Sequence, residues 1–138
     1  DIYVGKVATQ QAHGHGRMIR SEIGFAFSGQ WVHDVADGTG REEWMDGTTY
    51  DGEYVCGVKC GRGVFRSARG VRYDGYWKNG MHDGFGRMEW PNGEHYEGEY
   101  AGGRKHGQGT FTWPDRRKHS GFWHTGKQHG FGIYTNAD

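Results

Sequence analysis

Glycine and aromatic residues return together every 23 residues, and this period limits what the chain can fold into more than any other feature. Phe27, Tyr50, Tyr73, Tyr96 and His119 stand 23 apart. Two residues after each comes Gly29, Gly52, Gly75, Gly98 or Gly121, and two further on Trp31, Tyr54, Trp77, Tyr100 or Trp123. A glycine pair follows in each unit: Gly38 and Gly40, Gly61 and Gly63, Gly84 and Gly86, Gly107 and Gly109, Gly130 and Gly132. A first unit begins at Tyr3, with Gly5, Gly14 and Gly16 in register, and is 24 residues long. Six units thus cover residues 3–138 as 3–26, 27–49, 50–72, 73–95, 96–118 and a truncated 119–138.

The 27 glycines leave no interval longer than the 11 residues from Thr110 to Ser120, which Pro114 interrupts, so a helix of ordinary length has no place. In Tyr73-Asp74-Gly75-Tyr76-Trp77 a strand directs Tyr73, Gly75 and Trp77 to one face, and the same count puts Gly84, Gly86, Met88 and Trp90 together. Asn79-Gly80 supplies the positive φ angles of a tight reversal, so each unit reads as a β-hairpin. Met45-Asp46-Gly47, Ala68-Arg69-Gly70 and Pro91-Asn92-Gly93 turn the chain into the next hairpin. The expectation is an all-β meander of about twelve short antiparallel strands with no helix longer than one turn.

Glycine weakens a strand, so its regular placement needs a cause. Room for rings is the simplest: Gly52, Gly61, Gly63, Gly75, Gly84, Gly86, Gly98, Gly107 and Gly109 bare the backbone of one face for aromatic side chains to cross. Composition requires such a core. Leu, Ile, Val and Phe make up only 19 of 138 residues, with no leucine at all, whereas Trp, Tyr and Phe number 21. The net charge of zero also separates the chain from disordered sequences of similarly low aliphatic content. Trp77 and Trp90 are both expected in this core. The opposite face carries Asp51, Glu53, Asp74, Glu97 and Glu99 on first strands and Arg62, Arg66 and Arg87 on second strands, suited to cross-strand ion pairs.

The best-kept unit, YDGYWKNGMHDGFGRMEWPNGEH from Tyr73 to His95, resembles the MORN (membrane occupation and recognition nexus) repeat, whose pattern Y-x-G-x-W-x-x-G-x-x-x-G-x-G it meets in full. Tyr50–Gly63 and Tyr96–Gly109 meet it with Tyr in the Trp place. The resemblance implies an elongated, single-layer, twisted antiparallel sheet of six tandem β-hairpin MORN repeats. Strand spacing gives such a ribbon a length of about 60 Å. The resemblance also implies function. MORN proteins include protist cytoskeletal scaffolds, ciliary radial-spoke components and adaptors for myosin tails; attachment to acidic phospholipid gave the motif its name, and some arrays are regulatory regions of larger enzymes.

Chemistry of other kinds finds little support in the sequence. No nucleophile elbow, kinase signature or dinucleotide fingerprint is present, and Gly102-Gly103-Arg104-Lys105-His106-Gly107 lacks P-loop spacing. An enzyme is not expected, nor any cofactor. His13, His106 and His129 share one repeat position, read as loop structure, and strand spacing holds them about 10 Å apart, too far to share a metal ion. Cys56 and Cys60 read as free thiols. Balanced charge argues against nucleic acid, and no apolar run has the length of a transmembrane segment.

The expected activity is docking. Tyr50, Tyr54, Phe65, Tyr73, Trp77, Trp90, Tyr96, Tyr100, Phe111 and Trp113 form the candidate partner-binding groove, for a protein partner or a second copy in a homodimer. Self-pairing has a charge argument: residues 1–49 carry four basic and seven acidic groups, and residues 96–138 six and four. Arg104, Lys105, Arg116, Arg117 and Lys118 are the candidates for binding acidic phospholipid at a peripheral membrane surface. The expected location is cytoplasmic, in a cytoskeletal or ciliary assembly.

Overall fold

In the computed structural model, which describes residues 1–137, twelve antiparallel strands form one open sheet in sequence order. They are β1 (Ile2–Ala8), β2 (Gln11–Arg20), β3 (Phe25–Val32), β4 (Val35–Trp44), β5 (Thr49–Val55), β6 (Val58–Arg66), β7 (Arg72–Lys78), β8 (Met81–Glu89), β9 (His95–Ala101), β10 (Arg104–Thr112), β11 (Lys118–His124) and β12 (Lys127–Thr135). The single departure is a 3-10 turn at Ser21–Ile23, closing the longer first unit. Each hairpin reverses through two residues that both take positive φ, such as Asn79 at 52° and Gly80 at 78°, the I′ geometry that matches strand twist. Between hairpins Gly47, Gly70 and Gly93 donate to the carbonyls of Trp44, Ser67 and Trp90, closing the expected turns.

The glycines divide into two kinds, and this corrects the reading that gave them one purpose. Gly52 faces Gly63, Gly75 faces Gly86 and Gly98 faces Gly109 across the hairpin. Over each pair lies the first aromatic of the unit. A Cβ on Gly75 would come within 2.5 Å of Gly86 Cα and 2.7 Å of the Phe85 carbonyl oxygen, so these pairs do make room. Gly61, Gly84 and Gly107 do not. Gly75 pairs with Gly86 and Trp77 with His82, so Asp83, Gly84 and Phe85 bulge opposite Tyr76 alone. Gly61, Gly84 and Gly107 hold the bulges at φ 58°, 97° and 65°. A Cβ there would meet Glu53, Tyr76 or Glu99 on the opposite face. The bulge defeats simple alternation.

The groups freed by the bulge find partners. Glu53 accepts from the Arg62 backbone N–H and Glu99 from that of Gln108, both at 2.6 Å. The Tyr50, Tyr73 and Tyr96 hydroxyls donate to the carbonyls of Glu53, Tyr76 and Glu99. Thus the unit's first tyrosine covers the glycine pair with its ring and satisfies the bulge with its hydroxyl. The resulting core is a zigzag of edge-to-face rings along the whole sheet, Tyr3–Trp31–Phe27–Tyr54–Tyr50–Trp77–Tyr73–Tyr100–Tyr96–Trp123–His119, with neighbouring centroids 5.1 to 5.8 Å apart. Trp31, Trp77 and Trp123 fasten successive hairpins by donating their indole N–H to the carbonyls of Gly16, Gly63 and Gly109.

The opposite face carries the expected ion pairs in part: Arg87 bridges Glu97 at 3.2 Å and Arg62 approaches Asp74 at 3.6 Å. Such half-exposed pairs contribute roughly 0 to 1 kcal/mol each. Ring packing holds the sheet.

Candidate functional site

Six of the ten groove candidates belong to the core itself. Tyr50, Tyr73 and Tyr96 are at most 1% exposed, and Tyr54, Trp77 and Tyr100 between 4% and 7%. The rings do roof one another, because Tyr50, Tyr73 and Tyr96 each lie over a glycine pair and meet Tyr54, Trp77 and Tyr100 edge to face. The other four, Phe65, Trp90, Phe111 and Trp113, lie at the ends of second strands or just beyond and are partly exposed. Trp90 is therefore a surface-facing shelf residue, unlike Trp77. Trp90, Phe111, Trp113 and Tyr134 follow one another at 6.0, 4.9 and 5.7 Å, forming an aromatic shelf beside the sealed spine.

The five basic candidates do not form one exposed set. Lys105 is half-buried, its ammonium 5.4 to 5.5 Å from the ring centroids of Trp90, Tyr96, Phe111 and Trp123. Burial pushes its pKa below the ordinary lysine value. Lys105 pairs with Tyr100 on the ring face, the face that alternation back from Gly109 also gives it. Arg117 donates to Asp115 at 2.6 Å and to the Tyr134 hydroxyl at 2.9 Å, and its guanidinium lies 5.7 Å from the Trp113 ring. Arg104, Arg116 and Lys118 are exposed.

Sequence reasoning missed the position that Lys105 represents. Ala36, Lys59, His82, Lys105 and Gln128 recur every 23 residues and pair with Trp31, Tyr54, Trp77, Tyr100 and Trp123 on the ring face. The period was visible, but the side chains share no chemistry that would have marked it. His82 stacks on Tyr73 at 3.9 Å, and burial pulls its pKa down to about 4. The unfolded chain, with a histidine pKa of about 6.5, therefore takes up this proton first as pH falls. His82 contributes a stability that is complete above pH about 6.5 and is lost on descent toward pH 4. Chemical denaturation across that range is expected to show the wild type losing about 2 to 3 kcal/mol more than His82→Gln.

Glu42 was also missed as a ring-face residue. Its carboxylate accepts from the Tyr54 hydroxyl at 2.8 Å and lies 3.3 Å from Lys59 Nζ. Burial raises the Tyr54 and Tyr100 phenols above their ordinary range, and at Tyr54 the Glu42 carboxylate adds to the shift.

Histidine and cysteine chemistry is placed differently from expectation in one respect. His13, His106 and His129 sit within β2, β10 and β12 at the bulges rather than in loops. His124 stands between His106 and His129, 5.5 Å from each ring. Among the described residues no grouping of three or more His, Cys, Asp or Glu side chains could hold a metal ion. Cys56 and Cys60 are free thiols, and burial, then Glu53 and Asp37, push the Cys60 thiol up, away from nucleophilic activation. The described residues contain no helix long and apolar enough to cross a membrane.

The far end of the opposite face offers a second apolar feature. Phe85, Phe122, Phe131 and Ile133, all exposed, border a shallow hollow of about 420 Å³ with Thr110 and Ser120.

Six hairpins of one pattern, each with facing glycines and a glycine-held bulge, define a tandem β-hairpin repeat protein. The MORN repeat family model matches residues 27–49, 50–72, 73–95, 96–116 and 119–138, and the chain belongs to that family. The first hairpin lies outside these matches yet has the same construction, with Gly5 facing Gly16 and Gly14 at φ 73°. No curated protein matches the chain. MORN repeats commonly serve as modules for protein or membrane interaction and are generally non-catalytic.

Proposed function

We propose that the chain is a non-catalytic docking module that takes a segment of another protein along its ring face over repeats three to five. The observation that carries this reading is the shelf of Trp90, Phe111 and Trp113, three large rings left partly uncovered beside a spine that is otherwise sealed. Contiguous apolar area with embedded Trp side chains is what interface centres use. The family's association with cytoskeletal and membrane structures makes an assembly of that kind the setting for such docking.

Peptides selected from a random display library against the wild-type chain test the reading. Trp90→Ala combined with Trp113→Ala is expected to weaken a selected peptide about 30-fold or more, since one hot-spot truncation costs about 2 kcal/mol or more and neighbouring ones do not add in full. The double variant should keep most of its stability, because neither ring is in the spine. Binding that survives in the folded double variant would exclude this face. Concentration-dependent light scattering without peptide would instead identify a second copy as the occupant.

A further inference from the structure

The repeats contain an internal comparison that identifies what the shelf recognises. Positions 46 apart are two repeats apart, and the surroundings of Glu42 recur around Met88. Trp44 becomes Trp90, Tyr54 becomes Tyr100, Lys59 becomes Lys105 and Phe65 becomes Phe111. The rings, phenol and ammonium are kept; the carboxylate is not.

In repeats two and three that carboxylate completes the site. Glu42, with its side chain only 13% exposed, takes the Tyr54 hydroxyl at 2.8 Å on one oxygen and Lys59 Nζ at 3.3 Å on the other, beside the Trp44 indole. In repeats four and five Met88 offers no equivalent acceptor. The Tyr100 hydroxyl is consequently buried without a hydrogen-bond partner, in a residue 5% exposed. A buried unpaired hydroxyl costs about 1 to 3 kcal/mol. Lys105 is half-buried beside it: no carboxylate lies within 4 Å of its ammonium among the described residues, Glu94 acts on it only from farther off, and it rests against four rings.

We infer that repeats four and five form a receptor for a Glu or Asp side chain carried between apolar residues on a partner protein, the carboxylate seating on the Tyr100 hydroxyl and Lys105 where Glu42 seats on Tyr54 and Lys59. The inference rests on the docking reading above and deepens it. The flanking apolar residues cover Trp90 and Phe111, which a phospholipid headgroup would leave facing water. Charge-assisted hydrogen bonds in such a partly dry site are stronger than neutral ones, which gives the acidic residue its weight in recognition.

The display-selected peptides test this without knowledge of the natural partner. They are expected to share one Glu or Asp among apolar residues, and its replacement by Gln or Asn should weaken binding about tenfold or more. Met88→Glu supplies from within the chain the carboxylate that repeats two and three already hold. It should keep or raise the melting temperature, since it pairs the Tyr100 hydroxyl, and lower peptide affinity about tenfold or more. Glu42→Met should do the reverse, freeing the Tyr54 hydroxyl and Lys59 for a peptide carboxylate; with Ser67 where Trp113 stands, this second site should appear in calorimetry as an added, weaker binding event, a gain that misfolding cannot produce. Peptides that depend on Trp90 and Trp113 but carry no acidic preference, or that bind the folded Met88→Glu variant equally well, would overturn the carboxylate receptor while leaving the docking face intact. A selection in which no peptide depends on Trp90 and Trp113 would overturn both.

Discussion

Trp77→Ala should lower the unfolding free energy by about 3 to 5 kcal/mol, the range for a large buried aromatic, whereas Trp90→Ala should cost about 1 to 2 kcal/mol. The two tryptophans belong to the same repeat and look equivalent in sequence. Trp77 is 7% exposed, takes the edges of Tyr50 and Tyr73 at 5.1 and 5.2 Å, and fastens two hairpins through its indole N–H on the Gly63 carbonyl. Its neighbours cannot close over the hole, because the backbone below is glycine and each ring is fixed by the next. Trp90 has one face toward solvent and no place in the spine. Equilibrium urea denaturation of both variants checks the difference. Equal losses would show that the shelf and the spine are one core.

Gly75→Ala should cost about 3 kcal/mol, because its new methyl group meets backbone rather than a movable side chain. The closest atoms are Gly86 Cα at 2.5 Å and the Phe85 carbonyl oxygen at 2.7 Å, both set by the hairpin register. The bulge glycines should respond with a different ranking. At Gly107 the φ of 65° is the left-handed region that Asn tolerates, and the nearest obstacle is the flexible Glu99 carboxylate. Gly107→Asn should therefore be milder than Gly107→Ala, while Gly75→Asn should be at least as harmful as Gly75→Ala. Thermal melts of the four variants read the order directly. The same order at both positions would mean that the two glycine classes do not differ in cause.

The repeat, the hairpins and the turn positions were legible because each leaves a mark in residue type: Asn79-Gly80 for a reversal and Tyr73-Asp74-Gly75-Tyr76-Trp77 for a half-buried strand. The bulge was not. It shifts the ladder by two residues in every unit, and period-two counting continued through Gly84 as though the strand were regular. That omission misplaced Gly61, Gly84 and Gly107, whereas His82 and Lys105, each four residues before a paired glycine, keep the ring face that alternation gives and went unread because neither is an apolar residue. The groove was also overestimated. Sequence indicates which rings share a face, but whether Tyr73 or Trp90 is covered depends on the angle at which neighbouring rings meet, and edge-to-face packing sealed the first-strand rings. Glu42 carried a signal that was available: an acidic residue stands where the other five units have Met18, Phe65, Met88, Phe111 and Tyr134.

The central claim, that a partner docks on the ring face over repeats three to five, is tested most directly by the six indole N–H resonances in a nitrogen-15 spectrum of the wild-type chain titrated with a display-selected peptide. Trp31, Trp77 and Trp123 are held by glycine carbonyls inside the spine, and Trp90 and Trp113 lie on the shelf. The account predicts that the Trp90 and Trp113 signals move first and farthest while those of Trp31, Trp77 and Trp123 stay nearly fixed. Unchanged Trp90 and Trp113 signals, with backbone shifts confined to Phe85, Phe122 and Phe131 on the opposite face, would contradict it.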